Sequence, residues 1–288
     1  MTSTFHPSNT HIGHAHLQVA GLERSLAFYR DLLGFLEIAR SGPTAFLSSS
    51  GRLPAQVILT VLAGARPKPP RTTGLYHVAI RLPERLALSQ VLRRLLEQRW
   101  PLQGAADHGV SEALYLSDPD GNGLELYVDR PRQDWPWAGG QVAMSTDPLD
   151  LQDLLDQSVS NPGEGIHPVT DIGHIHLQVS DLARAEAFYS NLLGLEITQR
   201  SYPGALFLSA GGYHHHLGLN IWAGRGAPPP PPDAVGLLDF KVEIPDPSAR
   251  QQALERVQEA GVQVEDWSLD GYVSGTMLHD PDGTRILI

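Results

Sequence analysis

The alternation of apolar and polar residues predicts the same short unit four times along the chain. Ile12–Val19 alternates at a period of two and reads as a strand. Leu22–Leu33 places Leu22, Leu26, Tyr29, Leu32 and Leu33 at helical spacing, and Gly34 follows as a helix stop. Short strands are predicted over 36–39, 45–48 and 55–62. The second unit repeats the order: strand 76–82, helix 86–98, a weak strand near 102–105, strand 113–117, a turn over 118–123, and strand 124–129. The predicted order is β-α-β-β-β in every unit, which is an α+β fold.

The halves of the chain are copies. Gly13–Val19 reads GHAHLQV and Gly173–Val179 reads GHIHLQV. Phe28-Tyr29 matches Phe188-Tyr189, and Leu32-Leu33-Gly34 matches Leu192-Leu193-Gly194. Asp118-Pro119-Asp120-Gly121 matches Asp280-Pro281-Asp282-Gly283. A repeat this long predicts two homologous domains, residues 1–150 and 151–288. The connector from Pro131 to about Pro168 carries Trp135, Trp137, a short helical stretch around 149–155 and Asn161-Pro162-Gly163. Proline runs at Pro67–Pro70 and Pro228–Pro232 divide each half into two modules, because proline continues neither a helix nor an inner strand.

Composition narrows the function. The chain has 288 residues, 41% hydrophobic and 18% charged, as in ordinary globular proteins. No apolar run reaches a membrane-span length of about 18 residues, and MTSTFHPSNTHIGH does not read as a secretory signal. With 0 cysteines, disulfides, thiolate metal sites and cysteine nucleophiles are excluded, which fits a cytoplasmic protein. A net charge of −11 without a basic block argues against nucleic acid as a partner. The 13 histidines, several at strand-like spacing, hint at metal chemistry.

The pattern H-x-x-L-x-V, then a helix carrying Phe-Tyr, then L-L-G and later D-P-D-G-N-x-L-E resembles the vicinal oxygen chelate superfamily. Four modules in one chain resemble its extradiol ring-cleaving dioxygenases, and the runs DHGVSEALYLSDPDGNGLELYVDRP and GGYHHHLGLNIWAGRGAPPPPP look like the branch of bacterial catechol 2,3-dioxygenase-like proteins. The resemblance implies that the two modules of a domain curl around a shared cup. It implies a metal held by a His from the first strand, a His from the matching strand of the paired module and a Glu from that module's last strand. Those positions are His14, His77 and Glu125.

Strand periodicity supports this set. Leu17 and Val19 share one face of their strand, while His14, His16 and Gln18 share the other. Glu125 faces away from Leu124 and Leu126, and a carboxylate in so apolar a strand is costly unless paired or metal-bound. In the second half His174 matches His14, but Asp239 stands for His77 and Leu287 for Glu125. The metal is therefore expected in the N-terminal half, with a degenerate C-terminal cup. Two histidines and a carboxylate suit Fe(II), or Mn(II) in its place.

The resemblance further implies a small aromatic diol and O2 as substrates, an open-chain semialdehyde product and a homodimer. It implies that Tyr115 bonds a substrate oxygen and that His108 contacts substrate and handles a proton. Each residue also has a plainer reading, Tyr115 as a half-buried strand aromatic and His108 as a solvated loop residue. The oxygen-assisting histidine of related enzymes belongs on the last strand of the first module, but Ala55–Leu62 contains none; His16 could substitute. His214-His215-His216 reads as a structural or interface cluster, or alternatively as a second metal or acid/base group. A glyoxalase-type isomerase would need a fourth ligand where Thr60 stands. A thiol transferase of the fosfomycin-resistance type would be half as long, and a metal-free binding protein would not need the three ligands.

Overall fold

The computed structural model describes residues 9–158 and 163–288. Residues 1–8 and Asn161-Pro162, on which the signal and connector expectations partly rest, lie outside the described residues. Four modules are present. The first holds β1 (His11–Val19), α1 (Leu22–Leu26), β2 (Leu36–Ser41), β3 (Thr44–Ser48) and β4 (Val57–Val61). The second holds β5 (Gly74–Leu82), α2 (Arg85–Glu97), β6 (Leu102–Asp107), β7 (Ser111–Ser117) and β8 (Gly123–Asp129). The connector contributes the two-residue strands β9 (Trp137–Ala138), β10 (Gln141–Val142) and β11 (Asp147–Pro148), then α3 (Leu151–Asp156). The third module holds β12 (Asp171–Gln178), α4 (Leu182–Glu186), β13 (Glu196–Gln199), β14 (Ala205–Ser209) and β15 (Leu217–Asn220). The fourth holds β16 (Gly236–Glu243), α5 (Pro247–Glu259), β17 (Val264–Leu269), β18 (Val273–His279) and β19 (Arg285–Leu287). Among the described residues no helix is long and apolar enough to cross a membrane.

The helices behave as their spacing predicts. Leu88, Val91, Leu92 and Leu95 form one buried stripe of α2. Asp246 caps α5, its side chain accepting from the Ala249 amide at 2.7 Å. One expectation changes: the helix expected over 22–33 is α-helical only to Leu26 and continues as a π-helical turn through Leu32. The same switch recurs at Ala187–Leu192. Gly34 then adopts φ +94, and any Cβ there would lie 2.4 Å from the Gly165 backbone.

In each module the first strand lies parallel to the last, as in β1 with β4 and β5 with β8. The modules of one half meet through their helical sides. Tyr29 Oη donates to Asp118 at 3.1 Å, and Arg94 Nη2 donates to the Leu33 carbonyl at 3.0 Å. Tyr189 repeats this with Asp280 at 2.8 Å. The Phe-Tyr and Asp-Pro-Asp-Gly motifs are thus two sides of one structural joint.

The sheets join differently from the expectation. β5 of the second module pairs antiparallel with β12 of the third, and β1 of the first pairs antiparallel with β16 of the fourth. Each cup is therefore shared between the halves and is not built from the two modules of one half. Local periodicity sets which face of a strand is buried, but not which distant strand lies beside it.

Candidate metal centre

The register of three strands assembles the site. On β5, Ala79 stands beside Glu125 of β8 and opposite His174 of β12. Residues in one row across a sheet share a face, so Glu125 and His174 flank Ala79 on the concave side. His77 lies two residues back on that face, and Tyr115 of β7 extends the row opposite Glu125. The small side chain of Ala79 leaves the centre of the row open. Gly173 permits the close packing here, since a Cβ would fall 1.7 Å from the Tyr127 hydroxyl.

Three donor atoms converge as a result. His77 Nε2 lies 3.0 Å from Glu125 Oε2, His174 Nε2 lies 3.2 Å from the same oxygen, and the two nitrogens are 3.3 Å apart. Donors about 2.1 Å from one ion, at right angles to one another, lie about 3.0 Å apart. The spacing therefore fits three ligands on one face of an ion. All three residues are buried, and among the described residues they are the group whose ligand atoms could hold a metal together.

Their electrostatics agree. Burial alone would raise the Glu125 carboxyl, but the neighbouring His174 and His77 hold it well below the usual carboxylate range. Burial lowers His174 to about 4, against the pull of Glu125. The pair therefore offers a carboxylate and a neutral imidazole at neutral pH, the forms that bind metal.

His77 and Glu125 stand together as expected, but His14 does not join them. His14 Nε2 lies 2.9 Å from Asp239 Oδ1 in the other cup, where His16 Nδ1 meets Asp239 Oδ2 at 2.9 Å. His174 takes the third place, because β12 and not β1 is the neighbour of β5. His16 Nε2 is also engaged, with Thr60 Oγ1 at 2.8 Å, so it is not available to the site.

A cavity of about 240 Å³ opens over the three donors. Tyr115 and His108 both line it, and His108 Nε2 lies 2.6 Å from the Tyr115 hydroxyl. His108 Nδ1 is held by the Ser145 carbonyl at 2.6 Å, so this residue is fixed by the connector rather than solvated. Burial, reinforced by Glu125, pushes the Tyr115 hydroxyl well above its ordinary pKa, keeping it a proton donor. Tyr76, Tyr202, Phe207 and Trp222 form an aromatic wall.

The triple histidine divides by role. The three residues precede β15 in a turn, so strand alternation does not apply to them. His215 lines the cavity, its ring centroid 4.0 Å from that of His174. His216 Nδ1 bonds Ser209 Oγ at 3.0 Å, a structural role. His215 occupies the approach to the last strand of the third module, as Ala55 does in the first. A histidine therefore stands over the cavity on the segment of the third module that matches Ala55 of the first.

The chain belongs to the Glyoxalase/Bleomycin resistance protein/Dioxygenase superfamily, whose family pattern matches residues 11–126 and 171–288. Within it, the chain is 46% identical over 262 residues to a catechol-2,3-dioxygenase of Bacillus subtilis (strain 168), covering 90% of this chain and 91% of that one. It is 31% identical over 162 residues to biphenyl-2,3-diol 1,2-dioxygenase 3 of Rhodococcus globerulus, covering 51% of this chain and 83% of the relative. The fold also resembles glyoxalase I from Zea mays, with a TM-score of 0.57, 18% identity, and coverage of 96% and 91%.

Proposed function

We propose that the protein is a metal-dependent extradiol dioxygenase that opens catechol-type rings with O2, using a metal held by His77, Glu125 and His174. The observation that carries this is the convergence of those three donors at 3.0–3.3 Å beneath a cavity lined by Tyr115, His108 and His215. The extended identity to a catechol-2,3-dioxygenase supports the same reaction. Fe(II) or Mn(II) bound there supplies one-electron redox chemistry between an electron-rich diol and O2.

The chain's own groups do the rest. With His108 Nδ1 donating to the Ser145 carbonyl, its Nε2 takes the Tyr115 proton, and the Tyr115 oxygen is left to accept from a diol hydroxyl while its raised pKa keeps the phenol neutral. His108, tied to Tyr115, orients the phenol and contacts the ring. His215 has its Nδ1 engaged by His214 at 2.7 Å, so Nε2 is the ring nitrogen left to accept a substrate proton. Burial holds His215 well below its ordinary pKa, which leaves it unprotonated before substrate arrives. The aromatic wall excludes water from the ring. A four-ligand isomerase site is disfavoured, because Asn220 occupies the position matching Thr60 and is bonded to His176 Nε2 at 3.0 Å.

Anaerobic loading with Fe(II) or Mn(II), followed by oxygen electrode measurements with catechols and hydroquinones, tests the proposal. The expected result is stoichiometric uptake with a catechol and appearance of a semialdehyde chromophore. Full metal loading without uptake on any diol would reject ring cleavage.

A further inference from the structure

His215 is the end of a hydrogen-bonded chain. Its Nδ1 lies 2.7 Å from His214 Nδ1, and His214 Nε2 lies 2.8 Å from Asp129 Oδ1. Asp129 ends β8, the strand that carries Glu125. Its other oxygen, Oδ2, accepts from Arg81 Nη1 at 3.3 Å, and the Tyr213 hydroxyl lies 3.0 Å from both oxygens. Arg81 is itself clamped by Asp171 of β12, at 3.0 and 2.6 Å. The Tyr213 ring covers His214 at a centroid distance of 4.0 Å. Three strands of the cup therefore hold this chain still.

Its polarity follows from the chemistry of its ends. An ionised carboxylate only accepts, so His214 must donate from Nε2. With one proton on its ring, His214 accepts at Nδ1. The proton between the two rings then belongs to Nδ1 of His215, and His215 Nε2 keeps a lone pair. We propose that Asp129 and His214 are positioning residues that fix the tautomer and ring orientation of His215, so that its Nε2 meets substrate as a proton acceptor. This rests on the ring-cleaving reading of the cavity above.

Asp129→Asn separates this role from simple packing. Arg81 demands an acceptor at the Oδ2 position, which turns the amide NH2 toward His214. His214 would then accept at Nε2 and donate from Nδ1, and His215 would carry its proton on Nε2. The shape of the chain is preserved while its polarity reverses.

Two-bond 1H–15N correlation spectra of the metal-free protein, labelled with 15N-histidine and assigned with His215→Gln, read the tautomers directly. The expected result near neutral pH is a proton on Nδ1 of His215 in the wild type and on Nε2 in Asp129→Asn. In metal-loaded enzyme acting on catechol, Asp129→Asn should lose about 100-fold in kcat with KM within about threefold and full metal content, and Asp129→Glu should recover part of the loss. A wild-type His215 protonated at Nε2, a doubly protonated His214, or a tautomer unchanged by Asp129→Asn would overturn the proposal. The wild-type spectrum decides even if a variant does not fold. Absence of oxygen uptake by wild-type enzyme would reject ring cleavage instead, without touching the tautomer result.

Discussion

The two cups of the molecule share one backbone plan and differ at nearly every position that carries chemistry. In the cup of the second and third modules, one row across the sheet reads Tyr115, Glu125, Ala79, His174. The matching row in the cup of the first and fourth modules reads Met277, Leu287, Lys241, His14. Asp239 stands where His77 stands, and Ala55 where His215 stands. Met277, Leu287 and Ala55 pack with Phe46, Ile58 and Val273 into a buried apolar cluster. The second cup has thus become core, and its remaining histidines are spent on Asp239. Burial alone would raise that carboxyl, but the hydrogen bonds from His14 and His16 hold it far below its ordinary pKa.

Substituting the carboxyl positions breaks the comparison most sharply. Glu125→Gln should lower oxygen uptake on catechol by about 1,000-fold or more, the cost of a lost ligand and counter-charge. Asp239→Asn should leave activity per folded molecule within about threefold and lower the denaturation midpoint, since it uncouples two buried histidines. Equal losses of activity from both would mean that the cups are not functionally distinct.

Returning a carboxylate to the second cup tests whether it is core. Leu287→Glu places an acid among Phe46, Met277 and Val273 and should destabilise the fold by about 3 kcal/mol or more in urea unfolding. A variant with wild-type stability would show that this cup retains room and polarity.

Acid should destabilise the metal-free fold, chiefly through the cup of the second and third modules. His174 titrates at about 4 in the fold against 6.5 unfolded, and His176 and His215 are also lowered by burial. A histidine lowered in the native state favours folding above its unfolded pKa. Between about pH 6.5 and 4 the unfolded chain binds more protons, so stability falls as pH falls. His174 alone contributes a loss of up to about 3 kcal/mol. Asp239, lowered instead of raised, adds its loss only below about pH 3.8. His14 is also lowered by burial, so the second cup adds a loss of the same sign below about pH 6.5. Unfolding of metal-free protein from pH 7.5 to 4.5 should show this decline, whereas a flat profile would contradict buried neutral histidines.

The smallest effect concerns what both halves keep. Tyr29→Phe removes a hydrogen bond to Asp118 and should cost about 1 kcal/mol, with activity unchanged. A large loss of activity would make the Asp-Pro-Asp-Gly joint more than structural.

Much of this was legible in the chain. Alternation and repeats locate the four modules, and Glu125 stands out because a carboxylate between leucines needs a partner. His77 follows from the same repeat. His14 and His174 sit in nearly identical heptapeptides, so no local signal says which belongs with His77. That choice is made by strand pairing between residues about a hundred positions apart. His215 was hidden for a different reason: it lies in a turn, where a period of two says nothing about direction. Asp129 and His214 acquire meaning only once that turn is seen against the end of β8.

We place the metal between the second and third modules. Metal analysis of anaerobically Fe(II)-loaded His174→Ala and His14→Ala proteins tests this placement most directly. About one ion per chain is expected in His14→Ala, and affinity weakened by more than about 100-fold in His174→Ala. Metal lost from His14→Ala and kept by His174→Ala would contradict it.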